Sequence, residues 1–235
     1  MKIITKSNTN IIKVFIANCI IIFLAAIYAY IRYSANNLPI PDGSIIFFLN
    51  KGLATTAAIS ISISYILSNL SKLKSINLNF NAYLKYFGTI GFILAALHIF
   101  VSLMLLNSIR FPYLFKTASV FNFYGEMTIF FGVISIGLFL MPAITSITSV
   151  KLAMGANSWK KYQQIGYFAL LALIFHVYFA NFFQTSNFSK SFAYLLPLHY
   201  FIWAIILTTL TLKAISIFKK KQTISEFPTE VQGKK

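Results

Sequence analysis

Six runs of mainly apolar residues, at about 11–31, 44–69, 84–107, 123–147, 163–184 and 191–217, constrain this chain more than anything else in it. Each has the length of a helix that crosses the roughly 30 Å hydrocarbon core of a bilayer. Backbone N–H and C=O groups have no water to bond in lipid, so each run must satisfy them within itself as a helix. The alternation of Ile and Ser from Ile59 to Ser64 would suit a strand, but an open strand cannot sit in hydrocarbon, and helix is the reading here too. The expected fold is all-α: a polytopic membrane protein whose six-transmembrane-helix bundle occupies residues 1–218, followed by a short basic and polar tail at 219–235. The first run is long for a signal peptide and ends at Tyr30 to Arg32 without a small-x-small cleavage site, so it is read as the first span.

Composition agrees and removes other classes. With 58% hydrophobic and 10% charged residues, and a mean hydropathy of +0.75, the chain is no soluble enzyme and no disordered tail. Its 20 basic residues against 4 acidic ones would suggest a nucleic-acid partner in a soluble protein. Their positions point elsewhere. Lys2, Lys6, Lys13, Lys72, Lys74, Lys85, Lys151, Lys160, Lys161, Lys213, Lys219, Lys220, Lys221, Lys234 and Lys235 fall on the side of the termini, against Arg32, Lys51, Arg110, Lys116 and Lys190 on the other. Cations mark the cytoplasmic side of a bilayer, so both termini are expected there, with lipid rather than nucleic acid as the partner and the Lys219–Lys221 cluster on anionic headgroups. Cys19 is the one cysteine, which excludes an internal disulfide, a CxxC metal site and covalently attached haem.

All three histidines, His98, His176 and His199, lie within expected spans, where an ionisable side chain is costly and usually placed for a function. Counted from the run ends, each sits eight or nine residues from the side opposite the termini, roughly 12 to 14 Å deep. Two imidazoles at equal depth on different helices can take both axial positions of one b-type haem iron. His98 and His176 are the expected ligands. His199 has three open roles: a donor to a haem edge, a substitute ligand, or a residue bordering a quinone site and taking its proton. The blander reading of each histidine is a polar group bonded to a neighbouring helix carbonyl. Haem propionates at the interface would need cations, with Arg110 first and Lys51 and Arg32 read as ordinary interfacial snorkelling. Glu126 is expected to complement the start of the fourth helix, Pro142 to kink its far end, and the Thr55, Thr56, Ser60, Ser62, Ser64, Ser68 series to mark close helix packing.

Over roughly residues 45 to 185 the chain resembles the ferric reductase-like transmembrane family, and within it the haem-binding membrane subunits of bacterial periplasmic methionine-sulfoxide reductase systems. The resemblance is carried by Asn50-Lys51-Gly52-Leu53-Ala54, by Leu84-Lys85-Tyr86-Phe87-Gly88 leading to Leu94-Ala95-Ala96-Leu97-His98, and by Arg110-Phe111-Pro112-Tyr113. Further on come Leu140-Met141-Pro142-Ala143-Ile144-Thr145-Ser146, then Trp159-Lys160-Lys161-Tyr162-Gln163 with Tyr167 and Leu170 to His176. It implies an inner-membrane electron-transfer subunit of an oxidoreductase system. Electrons from quinol or a flavin donor would pass through haem b to a periplasmic redox protein. The family pattern has a further histidine thirteen residues before the ligand in helix five. Here that position is Gln163, so one haem is implied and an inner second one is not. Two other readings stay open on the same scaffold, a small membrane transporter or channel and a non-redox assembly subunit.

Overall fold

The computed structural model describes residues 2–36, 38, 40, 43–74, 81–186 and 195–226, with side chains described for 9–36, 38, 40, 43–73, 82–182 and 195–219. Lys190, the 191–194 stretch and the tail positions Pro228, Gly233, Lys234 and Lys235 lie outside the described residues. Among the described residues the chain forms six long helices: α1 (Lys2–Ala35), α2 (Ser44–Lys74), α3 (Asn81–Leu105), α4 (Phe123–Thr145), α5 (Thr148–Ser186) and α6 (Leu198–Glu226). A short 3-10 turn at Pro112–Leu114 interrupts the α3–α4 connection. All six are long and apolar enough to cross a membrane, so this is an all-α, multi-pass membrane protein. Large apolar side chains cover its outside, among them Phe15, Phe23, Phe100, Leu103, Met104, Val133 and Phe168. Lipid solvates such a surface; water does not.

The centre of the bundle is α2. Of its apolar stretch 56% is buried, against 28% or less for every other span, and α1, α3 and α6 all pack on it. Helices in lipid gain little from hydrophobic association and depend on close approach and polar contacts instead. The sequence of α2 supplies both. A Cβ on Gly52 would lie 2.5 Å from the Ile22 carbonyl oxygen of α1, so only glycine allows that crossing. Thr56, Ser60 and Ser62 are fully buried, and the Ser60 hydroxyl donates to the Asn18 side-chain oxygen of α1. The small-residue series therefore serves packing, as its composition suggested.

The other tight pair is the α4–α5 hairpin. Asn122 caps α4, its side chain accepting from Gly125 N at 3.0 Å, and Glu126 lies in the first turn where its charge suits the helix N-terminus. Pro142 sits inside α4 near its far end. α5 begins at Thr148 rather than near 163, because Lys151, Lys160 and Lys161, read as a loop from their charge, are helical. The helix breaks at Gly155, whose φ of 73° and ψ of 160° favour glycine. Lys151 Nζ reaches across that break to lie 4.3 Å from the centre of the Trp159 ring.

The last helix also departs from the expected boundaries. It starts at Leu198, directly after Pro197, and runs on to Glu226, past the Phe218 limit inferred from hydropathy. His199 therefore stands in the first turn of α6, not eight residues inside it. Proline has no N–H to give and is at home at a helix start, which fixes this boundary where apolarity alone does not.

Candidate functional site

The α4–α5 hairpin meets the α1, α2, α3, α6 group mainly along its edges, and α3 and α5 make no substantial packing contact with each other. Between them, towards the end of the bundle that carries the α1–α2, α3–α4 and α5–α6 connections, lies a cavity of about 360 Å³ walled by all six helices. That size falls in the range of small-ligand sites. His98 from α3, His176 from α5 and His199 from α6 all line it. Three residues separated by as many as 101 positions in the chain thus share one chamber.

His176 is held by backbone. Its Nδ1 lies 2.8 Å from the Thr128 carbonyl oxygen of α4. A carbonyl can only accept, so Nδ1 carries the proton and the lone pair is on Nε2. Room for this comes from Gly132, where a Cβ would sit 2.9 Å from His176 Nδ1. His98 is held by side chains. Its Nδ1 is 2.9 Å from Asn50 Oδ1 of α2 and 3.3 Å from Ser102 Oγ, one turn along α3. With the amide oxygen facing it, His98 Nδ1 also donates. A ligating histidine characteristically gives its other N–H to a carbonyl or carboxylate, which fixes the ring and its tautomer. Both rings have that arrangement.

His199 is different. It is 3% exposed, and its Nε2 is enclosed with no hydrogen-bond partner. Its ring packs between aromatic neighbours, 4.4 Å from the centre of Tyr200 and 5.2 Å from that of Trp203. Among the described residues Nε2 has no acceptor or donor, so this nitrogen is not anchored as Nδ1 of the other two rings is.

The cations sort unexpectedly. Arg32, read from sequence as a snorkelling residue, is only 5% exposed and lines the cavity, with Nε donating to the Leu195 carbonyl at 3.4 Å. Lys51 also lines it, with Nζ 4.9 Å from the Phe47 ring centre and 5.4 Å from that of Tyr33. Arg110 is not among the lining residues. Its backbone N–H donates to Asn107 Oδ1 and its guanidinium lies beside Gly43. Phe47, Phe111, Tyr113 and Phe139 complete an aromatic wall, with Phe47 and Phe111 ring centres 5.7 Å apart. Outside the spans, burial raises the Tyr113 phenol well above its usual range.

The half of the bundle nearer the termini is built differently. Gln163 Nε2 donates to the Pro142 carbonyl and to Thr145 Oγ1, both at 3.0 Å. The Pro142 carbonyl belongs to the last turn of α4, where it also accepts from the Ser146 hydroxyl at 2.7 Å and the Thr145 hydroxyl at 3.3 Å, so the amide of another helix joins a cap that α4 already begins. Tyr65 OH donates to the Gln163 carbonyl at 3.1 Å, and a Cβ on Gly166 would fall 1.7 Å from that hydroxyl. Tyr167 OH donates to Asn69 Oδ1 at 3.0 Å. A recess at this end, lined by Lys85, Thr89, Ser146 and Thr148 among others, has no histidine in its wall. Among the described residues, no group of three or more His, Cys, Asp or Glu is placed to hold a metal ion.

Asn50 and Thr128 are the parts of this site that the sequence left unassigned. Asn50 had a usable signal, a polar amide inside an apolar helix. Thr128 contributes a backbone carbonyl, which no residue type announces. No family model matches the sequence, and no curated protein matches it.

Proposed function

We propose that the protein is a b-type haem membrane electron-transfer subunit, in which His98 and His176 would hold the haem iron through Nε2. The observation that carries this reading is the pair itself. Two histidines on helices that do not pack together line one cavity, each with Nδ1 already bonded to an acceptor.

The residues present fit the group. Two neutral imidazoles, with no thiolate or carboxylate in the described lining, are a donor set suited to haem iron. Phe47, Phe111 and Phe139 offer apolar cover for a flat macrocycle, and Arg32 and Lys51 offer positive charge for its acidic edge. Bound haem would supply one-electron chemistry at the iron. The chain's own work is to orient the two rings, keep the lining dry and hold cations at one end. His199, whose Nε2 has no partner among the described residues, borders the cavity and is available to exchange a proton with a ligand.

On this reading the protein sits in a bacterial inner membrane with both termini cytoplasmic, as the lysine distribution favours. Gln163 and its neighbours fill the cytoplasmic half with hydrogen-bonded side chains. Donor and acceptor then both approach the periplasmic half, the donor as quinol or a flavin carrier and the acceptor as a soluble redox protein such as a methionine-sulfoxide reductase catalytic subunit. The ordered motifs from Asn50 to His176 support the same assignment.

The test is spectroscopic. Protein purified in detergent, with haem supplied during expression, is expected to show the bands of a six-coordinate b haem when oxidised and when reduced with dithionite. A preparation without haem bands removes the reading.

A further inference from the structure

Asn50 is 5% exposed, lines the cavity, and sits at the centre of a closed triangle of polar groups on two helices. Its Oδ1 is 2.9 Å from His98 Nδ1, its Nδ2 donates to Ser102 Oγ at 2.9 Å, and Ser102 Oγ is 3.3 Å from the same His98 nitrogen. Such a triangle closes in two directions. With the amide oxygen on the histidine, Nδ1 carries the proton and Nε2 keeps its lone pair. With the amide reversed, Nδ2 would donate to Nδ1, Ser102 would donate to the oxygen, and the proton would move to Nε2, blocking any metal there. The structure has the first arrangement, and Ser102, one turn from His98 on the same helix face, holds it by accepting from the amide.

We infer that Asn50 is a positioning residue that fixes the tautomer of His98 and thereby makes its Nε2 a ligand. The role as stated rests on the haem reading, but the tautomer exists without haem. The asymmetry between the two histidines sharpens the point. His176 is locked by a backbone carbonyl that no side-chain substitution removes. His98 depends on a replaceable amide, held in turn by Ser102, so the electronic character of the site is adjustable from α2 through Asn50.

The experiment reads both levels. Histidine nitrogen NMR on isotopically labelled haem-free protein in detergent separates protonated from unprotonated ring nitrogens, and the His176→Ala, His199→Ala background leaves His98 as the one signal. The expected result is a proton on Nδ1 in that background, its transfer to Nε2 on adding Asn50→Leu, and its return to Nδ1 with Asn50→Asp, which restores an acceptor oxygen. In otherwise wild-type protein, Asn50→Leu should bind haem about 10- to 100-fold more weakly, the usual effect of losing a ligand's outer partner. Asn50→Asp should keep haem while its reduction equilibrium shifts at least tenfold towards the ferric form, about 59 mV for one electron. His98 protonated at Nε2 before Asn50 is changed, or still protonated at Nδ1 in Asn50→Leu, overturns the inference. Should Asn50→Leu fail to fold, an unshifted potential in Asn50→Asp overturns it equally. The expected tautomers without any haem binding would leave Asn50 in its role toward His98 and remove the haem reading instead.

Discussion

The two halves of this bundle use the same kinds of side chain for opposite ends. Near the α1–α2, α3–α4 and α5–α6 connections, polar groups turn inward around open space: His98, His176, Asn50 and Arg32 all border the cavity. Near the termini, Tyr65, Gln163, Tyr167 and Asn69 turn inward and close on one another. A glycine stands at the heart of each half. Gly132 makes room for the His176 ring and Gly166 for the Tyr65 hydroxyl. Polarity inside a membrane protein is thus no guide to a site by itself. What separates the halves is whether the polar side chains border open space or one another.

Substitutions can break that contrast. The largest effect is expected at the proposed ligands: His98→Ala and His176→Ala should each abolish the b-haem spectrum, while His199→Ala should retain it, as read by absorbance of protein eluting as a single species. Loss of haem from His199→Ala alone would redraw the site. Next, Gly166→Ala should lower thermal stability in detergent by about 1 to 3 kcal/mol, the range for overpacking a filled core, without altering the haem spectrum. Gly132→Ala should do the reverse, displacing the His176 ring and weakening haem binding more than it destabilises the fold. If both glycines behaved alike, the division into a packed half and a binding half would fail.

Smaller effects sharpen it. Tyr65→Phe removes one interhelical hydrogen bond and should cost about 0.6 kcal/mol, the average for such bonds in membrane proteins, again with an unchanged spectrum. At the cavity rim, burial raises the Tyr113 phenol above its ordinary value of 10.0 in the folded state only. A proton held more tightly when folded means that this contribution is complete below pH 10 and is lost as pH rises beyond it. Ultraviolet titration should show the phenolate of Tyr113 appearing only with unfolding, and Tyr113→Phe should soften the alkaline loss of stability.

Much of this was legible in the chain. Six apolar runs of bilayer length predict six helices because lipid leaves the backbone no other choice, and the observed helices follow them. The errors lie where charge or proline overrides hydropathy. The stretch from Lys151 to Lys161 reads as a loop, yet lysines are good helix formers and only Gly155 interrupts the coil. Pro197 moved the start of α6 and with it the depth assigned to His199. For the site, the rarity of histidine in hydrocarbon singled out the three rings that share the cavity. Arg32 was misjudged, since snorkelling presumes a route to water, whereas its guanidinium is enclosed beside Leu195. Which nitrogen of His98 bears a proton depends on a residue 48 positions away on another helix, and spacing within one helix carries no trace of it.

The place of α6 has a consequence for how the molecule is made. Leu198, His199 and Ile202 form part of the chamber wall, and α6 packs on α2, which leaves the ribosome more than a hundred residues earlier. Until the last span enters the bilayer and finds that early partner, the chamber is missing a side. On the proposed reading, loading would then follow insertion of the last span, and a chain truncated before Leu198 would present an open trough in place of the chamber.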